Sequence, residues 1–238
     1  MPNIQFAYST RPTRNPFRYL LAVWRTLRDP TDTDEVAIVE MGFARSRVGR
    51  RFARWEDVVE ALRRDPRTRP ALLERKPCDP IDLEALARKP AGTLGRVFAE
   101  HCRVRELNPN LGYIPPDGEV DWMLHHLALT HDVWHVVTGW GNDLAGETGL
   151  GSFYMGQLGA PAFFGYLIGL LSLSTAFRRR SFREFMDAVT LGYEMGKRAE
   201  PLLGVDWSTL WDVPIEDVRT RFGLAGVSVV GEGIRSAA

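Results

Sequence analysis

Histidines and acidic side chains are concentrated in one stretch of the chain, residues 119–147, which holds four of its five histidines. On a helix of about 100° per residue, His131 and His135 stand at i and i+4 with Asp132 between them, so adjacent turns can converge on one point. Glu147 follows twelve residues after His135, beyond a glycine-containing segment, 139–146, that we expect to be a loop bending back. Two imidazoles with carboxylates suit a divalent transition metal such as zinc, iron, manganese or cobalt better than calcium.

The element that must position these groups is a helix over 119–139 without a solvated face. Its back is apolar, with Met123, Leu127, Trp134 and Val137, and it lacks a stripe of lysine or arginine, so we expect it to lie in the middle of the protein. Buried imidazoles and carboxylates must hydrogen-bond one another, pair with charge or hold a metal. With three or four protein ligands, a metal keeps an open position for water or substrate.

Two further histidines precede the HDxxH pattern on the same helix. His125 lies on the ligand side, where it could support a ligand from outside the coordination sphere, although the role of an ordinary hydrogen-bonded core histidine is favoured. His126 points to the apolar back, where a core role is favoured.

The sequence HDVWHVVTGWGNDLAGE resembles the signature of the coenzyme Q (ubiquinone) biosynthesis protein 4 family. The likeness continues in TLGRVFAEH upstream and in GYEMGKRAEPLLGVDWSTLWDVPIEDVRTRFGL downstream, so it covers about residues 65–224. It implies that the metal ligands are His131, Asp132, His135 and Glu147, with zinc the first expectation and iron, manganese or cobalt the alternatives. It also implies a polyprenylated quinone precursor as substrate, with decarboxylation coupled to hydroxylation at the carboxylated ring carbon of a polyprenyl hydroxybenzoate.

Other functions fit parts of the same pattern. The resemblance also supports a non-catalytic scaffold that binds an isoprenoid lipid and organises quinone-pathway enzymes. A metallohydrolase is a third interpretation, because HDxxH resembles the HExxH helix of metalloproteases, but Asp132 is shorter than the usual Glu. No P-loop, dinucleotide fingerprint or GxSxG motif occurs in the sequence.

Residues 148–177 contain no Asp, Glu, Lys, Arg or His. Thirty such residues could form buried core helices, a surface that dips into a bilayer, or a membrane span. Several glycines and Pro161 interrupt the run, which favours buried helices. The family resemblance suggests a groove here for an isoprenoid tail, with these candidate lining residues: Phe153, Gln157, Phe163, Phe164 and Leu167.

The helix after this run carries candidate contacts for the polar end of such a lipid. Lys197 and Arg198 could hold an anionic headgroup, or serve as last-turn cations that complement the helix dipole. In the same helix Gly192 and Gly196 cost helix stability, which indicates either close packing or a ligand.

Composition sets the remaining expectations. Thirty basic and thirty acidic residues give no net charge, so nucleic acid is not an expected partner. Cys78 and Cys102 have no CxxC spacing, which argues against a disulfide framework and favours a reducing compartment. The N-terminus has no secretory signal pattern. We expect a cytoplasmic protein, or one held at the inner face of a bacterial membrane, that forms a homo-oligomer.

The apolar periodicity and capping signals predict one all-α domain over residues 1–238, of about eight helices, with a mobile arm at 1–16 and a loose tail at 225–238. Asp82 and Thr93 are expected to cap two of the helices, and Pro214 and Gly223 to bracket the last. The helices are expected at 17–27, 55–64, 72–75, 82–87, 94–107, 119–139, 181–200 and 214–222.

Overall fold

The computed structural model describes residues 16–28, 39, 51, 54–76, 78–110, 118–159, 165, 168–170, 172, 173, 175 and 182–225. These residues form nine named α-helices, one 3-10 helix at Trp207–Leu210 and no strand, so the expected all-α fold is confirmed. In chain order the helices are α1 (Pro16–Arg28), α2 (Trp55–Arg64), α3 (Arg69–Glu74), α4 (Leu83–Ala87), α5 (Leu94–Val104), α6 (Glu119–Thr138), α7 (Leu144–Leu158), α8 (Phe182–Arg198) and α9 (Ile215–Arg221).

Local sequence signals set most of the helix ends. The side chains of Asp82 and Thr93 accept hydrogen bonds from the first turns of α4 and α5, as expected of N-caps. Gly139 ends α6 with a φ of 77°, a left-handed conformation that glycine adopts at little cost. The predicted loop at 139–146 is shorter than expected, because Asp143 caps α7 and the helix begins at Leu144.

The buried apolar side chains form one main cluster that runs from Trp55 to Leu224. Helix α6 packs within it and contacts α2, α5, α7 and α9. The guanidinium of Arg219 on α9 donates to the carbonyls of Val136 and Val137, at 3.0 and 3.1 Å, and so satisfies acceptors in the last turn of α6. Helix α6 is thus held by several of its neighbours.

Helices α7 and α8 cross with their backbones in close approach. A Cβ placed on Gly192 would lie 2.1 Å from the carbonyl oxygen of Gly149, and one on Gly196 would lie 2.3 Å from that of Phe153. Any larger residue at these positions would push the helices apart. Close packing therefore explains the two glycines in α8.

Several predictions fall outside the described residues. These are residues 1–15 of the arm, residues 226–238 of the tail, the first residue of the helix expected at 181–200, and Phe163, Phe164 and Leu167 of the proposed groove. Among the residues that the structure describes, no helix is both long and apolar enough to cross a membrane.

Candidate metal centre

His135 is the most buried member of the candidate site, with none of its side chain exposed. Its Nδ1 lies 3.0 Å from the backbone carbonyl of Trp140. A carbonyl can only accept, so Nδ1 carries the proton and donates it, and the neutral ring presents a lone pair at Nε2. The sequence produces this contact locally, because the turn at Gly139 brings the Trp140 carbonyl back to the last turn of α6.

His131 lies one turn earlier on α6 and is 39% exposed. Its Nδ1 is 3.2 Å from the hydroxyl of Tyr154 on α7, and its ring is almost parallel to that of the tyrosine. Its Nε2 is 3.1 Å from Nε2 of His135, with the two imidazole planes perpendicular. The two nitrogens that can bind an ion therefore face each other.

Glu147 completes the cluster from the first turn of α7. Its Oε1 lies 3.4 Å from Nε2 of His135, and its Oε2 lies 3.8 Å from Nε2 of His131. Its side chain is 21% exposed. The helix start that positions it is fixed by Asp143, whose carboxylate accepts from the backbone N–H of Gly146 at 2.7 Å.

The separations among the three side chains match those of ligands around one ion. Zinc binds histidine nitrogen and carboxylate oxygen at about 2.0–2.2 Å, so two such ligands at angles of about 90–110° lie roughly 3.0–3.5 Å apart. The His135 distances of 3.1 and 3.4 Å fall in that range, and the His131 to Glu147 distance of 3.8 Å is slightly longer. One ligand atom from each side chain can be chosen so that all lie within 4.8 Å of one another.

Electrostatics keep Glu147 ionised in this position. Burial raises the pKa of its carboxyl, but the adjacent imidazoles of His135 and His131 lower it by more than burial raises it. The net result is a pKa well below the ordinary value of a glutamate. With its two imidazoles deprotonated, as metal binding requires, the site offers two nitrogen donors and one anionic oxygen donor. This donor set fits a divalent metal, and with three protein ligands it leaves open positions.

Asp132 is not among the donors that the structure brings together. It is half-buried, and its charge adds to burial in raising the pKa of the Cys102 thiol on α5 to about 12. His125 is also half-buried and outside the cluster, and burial lowers the pKa of its ring. A metal-binding role for Asp132 and a supporting role for His125 stay predictions.

His126 has the core role that its position on the wheel favours. The backbone N–H of Gly204 donates to its Nε2 at 3.0 Å, so the neutral ring carries its proton on Nδ1, which lies 3.3 Å from the Cys78 sulfur. Trp122 stacks on the ring. Burial lowers the pKa of His126 to about 4.

Four of the candidate lipid contacts lie within the described residues: Phe153, Gln157, Lys197 and Arg198. Phe153 is fully buried and packs edge-on against Trp134. The amide of Gln157 donates to the carbonyl of Gly196 and accepts from the N–H of Leu202. Lys197 pairs with Glu194 at 2.7 Å and lies over the Tyr193 ring, and the pKa of the Lys197 ammonium is raised by its hydrogen bond to Glu194. Arg198 is exposed and donates to the Glu194 carbonyl at 3.2 Å.

Two side chains of this region were missed by the sequence analysis. Tyr154 lies seven residues after Glu147, two turns along the same helix, and that spacing was the available signal. His101 on α5 is 2% exposed and its ring stacks on that of His135, with centroids 6.2 Å apart. Its place in the apolar pattern of Leu94, Phe98 and Cys102 indicated burial but not contact with the site.

The fold and the site together define an all-α protein with a two-histidine, one-glutamate cluster in its interior. The family model described as coenzyme Q (ubiquinone) biosynthesis protein Coq4 matches residues 10–227. The chain therefore belongs to the Coq4 family, as the sequence resemblance predicted.

Individual relatives agree with this assignment. The mitochondrial ubiquinone biosynthesis protein COQ4 of Laccaria bicolor is 28% identical over 148 residues, which are 60% of this chain and 49% of that protein. The mitochondrial COQ4 homolog of Mus musculus is 24% identical over 172 residues, 70% of this chain and 64% of that protein. The chain thus spans about half to two thirds of the length of these relatives. The crystal structure of a putative ubiquinone biosynthesis protein from Nostoc punctiforme has a TM-score of 0.68 at 27% identity, and the match covers 88% of this chain and 98% of that one.

Proposed function

We propose that this chain is a metal-dependent protein of ubiquinone biosynthesis that acts on the carboxylated ring carbon of a polyprenyl hydroxybenzoate, by decarboxylation coupled to hydroxylation. The observation that carries the proposal is the cluster of His131, His135 and Glu147, whose donor separations fit one divalent ion. Membership of the Coq4 family, and the similarity to ubiquinone biosynthesis proteins such as that of Laccaria bicolor, support the pathway.

The protein's own contribution is to fix the donors before the ligand arrives. The Trp140 carbonyl holds His135 in one tautomer, and the ionised Glu147 supplies the negative charge that an ion requires. His131 is the most exposed of the three, so a ligand from solvent reaches the cluster from its side. A bound ion supplies Lewis acidity that polarises a phenol or carboxylate oxygen of the ring.

The coupled reaction constrains the metal. Replacing the ring carboxyl by a hydroxyl converts ArCOOH, O2, two electrons and two protons into ArOH, CO2 and water. Decarboxylation alone needs only a Lewis acid, whereas the hydroxylation consumes O2 and an external reductant. Zinc and iron both accept two histidines and one carboxylate, but open two-histidine, one-carboxylate sites are typical of non-haem iron oxygenases.

The test begins with the metal content of the full chain, purified from a host that makes quinones and measured by mass spectrometry. We expect about one divalent ion per chain, lost in His135→Ala and Glu147→Ala while the helical circular dichroism is retained. Zinc- and iron-loaded protein would then be compared on a prenylated 4-hydroxybenzoate with 18O2 and an added two-electron reductant, and CO2 release and incorporation of 18O into the ring would be measured. Full metal content in both variants would contradict the proposed centre.

A scaffold function is the second candidate, because α1 has an exposed apolar face. Phe17 is 80% exposed and Trp24 is 51% exposed, and Leu20 lies between them on the same face. The helix contains three arginines and no acidic residue, and the Arg28 guanidinium lies over the Trp24 ring. This combination suits an anionic membrane surface, where the protein would hold an isoprenoid lipid or gather quinone-pathway enzymes. Metal-loaded protein that binds the prenylated ring without converting it would favour this candidate.

A further inference from the structure

His101 differs from the other buried histidines in its hydrogen bonding. Both nitrogens of His126 and of His135 have a partner within hydrogen-bond distance. Neither nitrogen of His101 has one among the described residues, and neither is accessible to solvent. A neutral imidazole has one donor and one acceptor, so two polar functions are left unsatisfied in the interior.

A buried polar group without a hydrogen-bond partner lowers the stability of the folded protein, unless a bound ligand or water molecule supplies that partner. An apolar side chain in its place would fill the same core position between Phe98 and Cys102 without that cost. The placement of His101 is also specific, because its ring lies against that of His135 at 6.2 Å with the planes 24° apart. The unsatisfied polar group therefore borders the metal cluster.

We propose that His101 is a positioning residue that hydrogen-bonds a protic oxygen of the ligand bound at the His131, His135 and Glu147 cluster. The inference rests on the proposed function, since it takes the cluster to be the place where the ligand binds. The oxygen belongs either to a water molecule held in the site or to the phenol or carboxyl group of the substrate ring. One ring nitrogen of His101 bonds this oxygen, donating to it or accepting from it according to the tautomer, because the two nitrogens point in different directions and cannot share one oxygen.

The reach of the side chain is compatible with this role. A hydrogen bond spans about 2.7–3.2 Å and a metal–oxygen bond about 2.0–2.2 Å, so a nitrogen roughly 5 Å from an ion can share its oxygen ligand. The centroid of the His101 ring lies 6.2 Å from that of His135, a candidate ligand. His101 does not join the group of candidate metal donors itself, which separates its role from theirs.

The experiment uses the full chain loaded with Co(II), 4-hydroxybenzoate as the probe, and the variants His101→Leu and His101→Gln. Leucine has a similar volume and no polar atom, whereas glutamine restores a donor and an acceptor. We expect unchanged metal content in both, an affinity for the probe that is about 10-fold lower in His101→Leu, and partial recovery in His101→Gln. We also expect metal-free His101→Leu to have a Tm equal to or above that of the parent, because the unsatisfied group is gone.

His126→Gln is the matched control, since it alters a buried histidine of the same core that lies outside the cluster. It should lower Tm and leave the affinity for the probe unchanged. The Co(II) spectra of His101→Leu and the parent are compared before and after the probe is added. A difference already present before addition identifies the oxygen as that of water, and a difference only after addition identifies it as that of the probe. Both results support the inference. Equal affinity in His101→Leu and parent, equal weakening by His126→Gln, or loss of metal from His101→Leu overturns it. A parent chain that binds no metal overturns the proposed function and, with it, this inference.

Discussion

The close approach of α7 and α8 predicts that alanine at Gly192 is destabilising, whereas alanine at Gly165, which lies outside both helices, is not. At Gly192 an added Cβ would lie 2.1 Å from the carbonyl oxygen of Gly149, against an ordinary contact of 3.4 Å or more, so the helices must separate by about 1.3 Å. Both atoms are held by backbone, and neither can rotate away. At Gly165 an added Cβ meets nothing within 4 Å.

For Gly192→Ala we expect a loss of about 1–3 kcal/mol in the free energy of unfolding, or a Tm lower by roughly 3–10 °C for a chain of this size. Gly165→Ala should be neutral or should stabilise its helical position by up to about 1 kcal/mol. Differential scanning fluorimetry and urea denaturation of the metal-free proteins would measure both.

The same displacement should reach the candidate metal centre, because α7 carries Glu147 two residues before Gly149. Metal sites tolerate deviations of about 0.2 Å in ligand distance, much less than the required movement. We therefore expect metal affinity to fall at least about 10-fold in Gly192→Ala and to be unchanged in Gly165→Ala. A Gly192→Ala protein with parental Tm and metal affinity would show that the close crossing does not position the site.

Three further predictions concern other parts of the molecule. The pKa of His126 is about 4 in the folded protein against an ordinary 6.5, so protonation between these values favours the unfolded chain. The neutral ring should therefore contribute about 3 kcal/mol to the free energy of unfolding above pH 6.5, and this contribution should be lost as pH falls towards 4. In urea denaturation across that pH range, the free energy of unfolding should depend less steeply on pH in His126→Gln than in the parent. Arg219→Leu should lower stability by roughly 2 kcal/mol, because the terminal carbonyls of α6 lose their donor, whereas Arg221→Leu on the same helix should change it little; equal effects in chemical denaturation would contradict the cap. Full-length protein should sediment with phosphatidylglycerol vesicles and less with phosphatidylcholine, and either salt or Leu20→Asp should weaken this; equal binding to both lipids would argue against an electrostatic membrane surface.

Most of the secondary structure could be predicted from the sequence. The helix expected at 55–64 has those bounds, and Asp82 and Thr93 cap the helices expected of them. These features depend on local chemistry, such as a side-chain oxygen beside free N–H groups or an apolar residue every three or four positions. Glu147 was also placed beside His131 and His135 correctly, because the short connection after Gly139 leaves few ways to continue the chain.

The surroundings of the site were harder to predict. Asp132 shares a broad face with His131, but successive helical residues differ in direction by about 100°, and its carboxylate is not among the donors that come together there. His101 comes from another helix, and an apolar pattern cannot show which buried face will meet a ligand histidine. The tautomer of His135 depends on a backbone carbonyl, to which residue type gives no guide.

The turn at Gly139 also affects how the cluster is assembled. His131, His135 and Glu147 lie within 17 consecutive residues, so closing this helical hairpin carries a small loop entropy and needs no contact distant in the chain. Arg219, in contrast, meets Val137 across 82 residues. The proposed ion would therefore find its three donors as soon as α6 and α7 pair, before the C-terminal helix docks, and we expect metal present during synthesis to favour early formation of this hairpin.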